Sequence, residues 1–254
     1  MSVSSVADRP GSNLEEVWQA RVDLTAALRW AAKMELNDGV CNHFSLVVPG
    51  TTDRFLLNPQ GLHWSEIRAS DLIVVDPDGN VVEGNYTVEP TAFYIHSRIH
   101  LAKPEAKCVL HTHMPYATAL CCVEGGRLEW ASQNALRYYG RVGYDDRFNG
   151  VALDAAEGDR MCAELQDNDI LFLANHGVIA AGGDVATTFD DLYYLERACL
   201  HQVLAQSTGL PLKIVPQDIC ELTARQIAGE KQQAYLHFES LKRMLERDDP
   251  DFMT

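Results

Sequence analysis

Three histidines in two apolar settings are the residues of this chain best placed to do chemistry. The segment Cys108-Val109-Leu110-His111-Thr112-His113 runs from small and apolar residues into two histidines one position apart. In a strand, side chains alternate between faces, so His111 and His113 point the same way and their imidazoles can converge on one cation. A second apolar run, Ile170-Leu171-Phe172-Leu173-Ala174-Asn175-His176-Gly177, delivers a third histidine at its end, with a glycine beside it to let the backbone turn. Three neutral imidazoles that leave a coordination position open describe a catalytic metal site rather than a structural one. All-imidazole sites accept a divalent ion, with zinc the first choice and manganese, iron or cobalt the others.

The elements that must position these histidines follow from periodicity and turn chemistry. Apolar residues recur at helical spacing over residues 14–36, and Asn37-Asp38-Gly39 supplies the stop. Residues 45–48 and 54–57 read as a hairpin, and 72–75 with 81–83 as another across Asp76-Pro77-Asp78-Gly79. Between the hairpins, Asn58-Pro59-Gln60-Gly61 reads as a loop. A helix over 91–101 leads to the His111 strand, and a short helix follows Pro115. Residues 134–139 read as weakly helical and 140–150 as a polar, glycine-punctuated loop. Beyond it come a helix over 155–165, strands over 170–173 and 178–181, and helices over 185–206 and 217–245. The expected organisation is a flexible tail over residues 1–13, a single domain over 14–247 and a charged tail over 248–254. Strands and helices alternate without dinucleotide- or phosphate-loop glycine patterns, which points to a layered α/β domain.

Composition removes several function classes. The 254 residues carry 36 acidic against 21 basic side chains, a formal net charge of −15. No basic stripe exists to neutralise phosphates, so a nucleic-acid partner is not expected, and neither is docking on an anionic membrane. The 46% hydrophobic content is ordinary for a folded core. Seven cysteines, an odd number without CxxC spacing, read as reduced thiols. No signal peptide or membrane span is legible, so a cytoplasmic protein is expected.

Four short motifs in register give the chain a family resemblance. Asn42-His43-Phe44-Ser45, Pro59-Gln60-Gly61, His111-Thr112-His113 and Asn175-His176-Gly177 fall in the order seen in the class II aldolase/adducin family, across residues 15–210. The stretch from Ser132-Gln133 through Tyr138-Tyr139-Gly140-Arg141-Val142-Gly143-Tyr144 looks more like the adducin-type branch than the sugar-phosphate aldolases. The resemblance implies a three-layer α/β/α fold around a mixed, largely antiparallel sheet. It implies homo-oligomers, often tetramers, with sites at subunit boundaries. It maps the family's metal ligands onto His111, His113 and His176, and the phosphate-binding positions onto Asn42, Ser45, Gln60 and Gly61. The shared chemical step in the family is stabilisation of an enediolate or enolate by a Lewis-acid metal.

One departure from the resemblance bears on the reaction. The aldolases carry a glutamate four residues before a helix histidine, which itself lies fifteen residues before the first metal ligand. Here that histidine is His96 and the glutamate position is Ala92. Glu89, three residues earlier, is the carboxylate expected to reach the same cavity, with the start of a helix as its other natural role. Tyr144 and Asp145 in the polar loop are candidates for an acid or base reaching across a subunit boundary. His96 and His100 read as helix-face residues with ordinary hydrogen bonds, and His63, His201 and His237 as structural. Loss of the aldolase carboxylate shifts the expectation towards decarboxylation, in which carbon dioxide leaves without a base taking a hydroxyl proton. The sequence therefore reads as a metal-dependent carbon–carbon lyase acting on a small hydroxy- or oxo-acid. Its rivals are a sugar-phosphate aldolase or epimerase, a non-haem iron oxygenase on the same site, and a non-catalytic interaction domain like the adducin heads.

Overall fold

The structure, a computed structural model, describes residues 14–254; the tail expected over residues 1–13 lies outside the described residues. Helix α1 (Leu14–Lys33) buries Val17, Ala20, Leu24, Ala27, Leu28 and Ala31 along one stripe, the spacing that keeps side chains on one face of a helix. Two arginines of the same helix are buried too, and both are neutralised and hydrogen-bonded. Arg21 donates to the Ala69 and Leu72 carbonyls and pairs with Glu83, and Arg29 donates to the Ile67 carbonyl and pairs with Asp249 and Asp251.

Eight strands form one sheet in the order β4-β3-β2-β1-β5-β8-β7-β6. They are β1 (His43–Val47), β2 (Phe55–Leu57), β3 (Ile73–Val75), β4 (Val81–Glu83), β5 (Cys108–Thr112), β6 (Val142–Asp145), β7 (Ile170–Leu173) and β8 (Gly177–Gly182). Six of the seven pairings are antiparallel, and β6 runs parallel to β7, so the expected mixed, largely antiparallel sheet is present. Helices cover both faces. One face carries α1, α3 (Pro115–Cys121), α4 (Gln133–Leu136), α6 (Val185–Gln206) and α8 (Lys231–Asp248); the other carries α2 (Pro90–Ala102) and α5 (Ala155–Leu165). Helix α7 (Gln217–Ala228) lies against α4. The helix starts are chemically marked: Glu89, Asp154 and Asp184 each accept a backbone N–H as N-caps of α2, α5 and α6. Gly158 lets α2 and α5 close on each other, since a β-carbon there would sit 2.2 Å from the Tyr94 carbonyl oxygen.

Three expectations need correction. The loop read over 140–150 contains β6, a strand whose four residues Val-Gly-Tyr-Asp give weak apolar alternation and which forms because β7 offers an edge. The helix read over 217–245 is two helices, broken at Gly229-Glu230, where glycine weakens helical continuity. The expected charged tail over 248–254 is docked. Residues Pro250–Met253 form a 3-10 turn that buries Phe252 completely and brings Asp249 and Asp251 to Arg29. All seven cysteines are free, and among the described residues no helix is long and apolar enough to cross a membrane.

Candidate metal centre

Strand β5 is the central strand of the site, flanked by β1 and β8 and buried along its whole length. Its register places His111 opposite His43 on β1 and Ile179 on β8. His113 lies one residue beyond the strand, and His176 sits in the tight connection from β7 to β8, after Asn175 in a left-handed conformation (φ 56°). Gly177 permits this approach: a β-carbon there would lie 2.5 Å from the Thr112 carbonyl oxygen and 2.8 Å from Cδ2 of His113. The three rings of His111, His113 and His176 pack at centroid distances of 5.1, 4.8 and 4.9 Å. One nitrogen from each lies within 4.8 Å of the other two, a span that small side-chain rotations close to what one ion requires.

Hydrogen bonds behind the rings decide which nitrogen is free. His111 Nδ1 lies 3.0 Å from the Val178 carbonyl oxygen, to which it donates, leaving Nε2 as the lone pair. His113 Nδ1 faces Asp38 Oδ2 at 2.9 Å, and its Nε2 is buried with no partner. A carboxylate or carbonyl behind each of these two imidazoles is the arrangement that orients histidine ligands toward a metal. Burial, reinforced by repulsion from neighbouring histidines, holds His111 well below its ordinary value and lowers His176 to about 4. Both are therefore neutral at physiological pH, the form that binds a metal. The donor set and the orphaned Nε2 of His113 fit a divalent ion.

The remaining expected residues divide. Glu89 caps α2, accepting from the Ala92 N–H and the Thr91 hydroxyl, and its Oε2 lies 3.1 Å from His43 Nε2. Burial works against its ionisation, but the bonds from His43, Thr91 and Ala92 outweigh it and bring the carboxyl down to about 2. Glu89 is thus the N-cap of α2 and, through His43, stands one ring removed from the trio. His43, which sequence reasoning passed over, is that ring: buried and stacked 5.9 Å from His111. The signal for it was available, because His43 and Ser45 alternate on one face of a strand. Asp38, read only as turn chemistry, is the other residue missed.

Asn42 (φ 76°) pins the connection before β1, its Oδ1 accepting from the Asp38 and His113 backbone N–H groups, while its buried Nδ2 has no partner. Ser45 is committed elsewhere, bonded to His96 and His100, so it is not free to hold a phosphate. Gln60 and Gly61 are exposed in the loop after β2, tied to Thr87 through the Gln60 N–H and side chain. Tyr144 does not meet the trio of its own chain. The row Gly143, Leu171, Ile179, His111, His43 runs across one face of the sheet, so Tyr144 projects from the other. There it stacks on Phe172, lies beneath the Arg127 guanidinium and accepts from the Leu128 N–H, and burial pushes its phenol up to about 12. Its neighbour Asp145 pairs with Arg160 at 2.6 Å.

Residues 22–203 match the family model described as Class II Aldolase and Adducin N-terminal domain. The chain belongs to the class II aldolase and adducin family. Among proteins similar to it is one of Pseudomonas aeruginosa whose name assigns it to the class 2 aldolases, 37% identical over 241 residues and covering 92% of both chains. The decarboxylase NovR of Streptomyces niveus is 30% identical over 230 residues, covering 90% of this chain and 84% of that one. A solved aldolase II superfamily protein from Pseudomonas syringae superimposes with a TM-score of 0.89 at 36% identity, over 99% of this chain and all of the other. Class II aldolase membership agrees with the fold and with the motif order read from the sequence.

Proposed function

We propose that the protein is a divalent-metal-dependent carbon–carbon lyase, of decarboxylase or aldolase type, acting on a small hydroxy- or oxo-acid. The observation that carries this reading is the set of three converging imidazoles, two of them anchored through Nδ1 to a carbonyl or a carboxylate, with the buried Nε2 of His113 left without a partner. His111, His113 and His176 would hold the ion, with zinc first in order for three nitrogen donors and manganese, iron or cobalt as the alternatives. A bound ion would supply Lewis acidity to stabilise the enolate left when the carbon–carbon bond breaks.

The chain's own residues do the rest. Asn42 Nδ2, a buried donor without a partner, suits a carboxylate oxygen of the substrate. Gln60 and Gly61, exposed in the loop after β2, would contact the far end of the substrate. Glu89 remains ionised and holds His43 in orientation beside His111. Ala92 occupies the place of the aldolase carboxylate and brings no proton carrier, which favours loss of carbon dioxide over retro-aldol cleavage. The decarboxylase-named relative supports that preference. Tyr144 has no part in the chemistry of its own chain.

We further propose a cytoplasmic homotetramer: seven free thiols suit a reducing compartment, and exposed Leu14, Trp18, Leu204, Leu222 and Leu236 suit contact between copies. The test is a panel of hydroxy- and oxo-acids incubated with zinc-, manganese-, iron- or cobalt-loaded protein, with release of carbon dioxide or aldehyde as the signal. Metal-dependent turnover that disappears in His113→Ala is expected. Turnover that survives both chelation and His113→Ala would overturn the assignment.

A further inference from the structure

Behind the trio, the hydrogens on one wall of the site can be assigned one at a time. His100 Nδ1 lies 2.7 Å from the Ala106 carbonyl oxygen, which only accepts, so this nitrogen carries the hydrogen. The ring is buried and neutral, leaving a lone pair at Nε2. Ser45 Oγ, 2.7 Å away, must donate to that lone pair. A hydroxyl has a single hydrogen, so toward His96 Nδ1, at 2.6 Å, Ser45 Oγ accepts. His96 is therefore protonated at Nδ1 and presents a bare Nε2, which is buried and has no partner.

His43 is fixed in the same way. Its Nε2 faces the ionised Glu89 carboxylate at 3.1 Å and carries the hydrogen, so Nδ1 is bare, buried and likewise without a partner. The rings of His43 and His96 lie edge to face with centroids 5.8 Å apart, and His43 stacks 5.9 Å from His111. Two acceptors cannot satisfy one another, and buried polar atoms in folded proteins nearly always have a partner. What fills this wall must bring hydrogens.

We propose that His43 Nδ1 and His96 Nε2 accept hydrogen bonds from the substrate's hydroxyl groups, and that this wall takes a hydroxyl in preference to a keto oxygen at that position, the oxo group that receives the electron pair of the broken bond lying elsewhere on the substrate. The inference rests on the metal-lyase reading and narrows it. A hydroxyl donates to either nitrogen, whereas a keto oxygen sets lone pair against lone pair and leaves both acceptors unpaired. Ser45, His100 and Glu89 are positioning residues, each fixing the tautomer of the ring in front of it.

Two measurements test this. Long-range 1H–15N correlations of the histidines in the metal-free protein read the tautomers directly. His96 protonated at Nδ1 and His43 protonated at Nε2 are expected, and the reverse tautomer at His96 overturns the proposal. Calorimetry on zinc-loaded protein then compares lactate with pyruvate, which share a carboxylate and differ in the hydroxyl. Lactate is expected to bind at least tenfold tighter, with the preference falling several-fold in His96→Leu and in Ser45→Ala, which frees the His96 tautomer. Zinc bound without a lactate preference, or a preference untouched by both variants, overturns this inference alone. Failure of the wild-type protein to take up zinc overturns the metal reading and this inference with it.

Discussion

Asp38 offers the sharpest test of how the centre is built. Its Oδ2 receives the His113 Nδ1 hydrogen at 2.9 Å, while two-thirds of the Asp38 side chain stays in solvent. At that exposure the contribution of this hydrogen bond to folding is small, about 0–1 kcal/mol. Orientation of the ring is a different matter, because without the carboxylate His113 is free to turn its Nε2 away from the other two nitrogens. Removing a hydrogen-bonded group behind a histidine ligand typically costs about 10–100-fold in metal affinity, or about 1.4–2.7 kcal/mol. Asp38→Ala should fall toward the upper end. Asp38→Asn, which keeps an accepting oxygen but loses the charge, should lie near the lower end at about 10-fold. Competition for zinc against a chromogenic chelator measures the affinity, and a urea melt of the metal-free protein measures stability. The expected outcome is weakened metal binding with metal-free stability unchanged to within about 1 kcal/mol. Equal zinc affinity in wild type and Asp38→Ala would refute the role assigned to this carboxylate.

Other predictions follow from the same geometry. Gly177→Ala should weaken zinc binding by more than about 10-fold and lower the thermal midpoint, because the new methyl collides with Thr112 and His113; unchanged values on both counts would show that the approach of β8 to β5 relaxes freely. Phe252→Ala should cost about 3–5 kcal/mol in a urea melt, as expected for a fully buried aromatic, and a cost below about 1 kcal/mol would mean the C-terminal turn is not part of the core. His176 and His100 each sit at about 4 when folded, below the ordinary histidine value, so between roughly pH 4 and 6.5 the unfolded chain binds more protons than the folded one. Stability of the metal-free protein should therefore be complete above about pH 6.5 and fall as the pH drops toward 4; equilibrium melts at fixed ionic strength that rise on acidification through this window would contradict the burial of these rings as neutral groups.

Much of the layered fold was legible because its signals are local. The stripe of α1, the Asp76-Pro77-Asp78-Gly79 turn and the apolar run of β5 each announce themselves within a dozen residues. Strand β6 did not, because Val142-Gly143-Tyr144-Asp145 becomes a strand only when β7 pairs beside it. The docking of residues 249–252 was equally hidden, since it depends on Arg29 more than 200 positions away. The histidine trio was readable from strand alternation and motif order. Its supports were not: Asp38 lies 75 residues before His113, and His43 reaches His111 only through the β1–β5 register. The surroundings of Tyr144 were hidden for the same reason. Which face of the sheet it occupies is set by pairing that a loop reading could not supply.

The most direct measurement is anomalous diffraction at the zinc edge from crystals grown or soaked with zinc. A single strong peak is expected at about 2.0–2.1 Å from one nitrogen each of His111, His113 and His176, absent in His113→Ala crystals. Zinc density elsewhere, with the three rings left empty in the wild-type protein, would contradict the claim that these imidazoles share one ion.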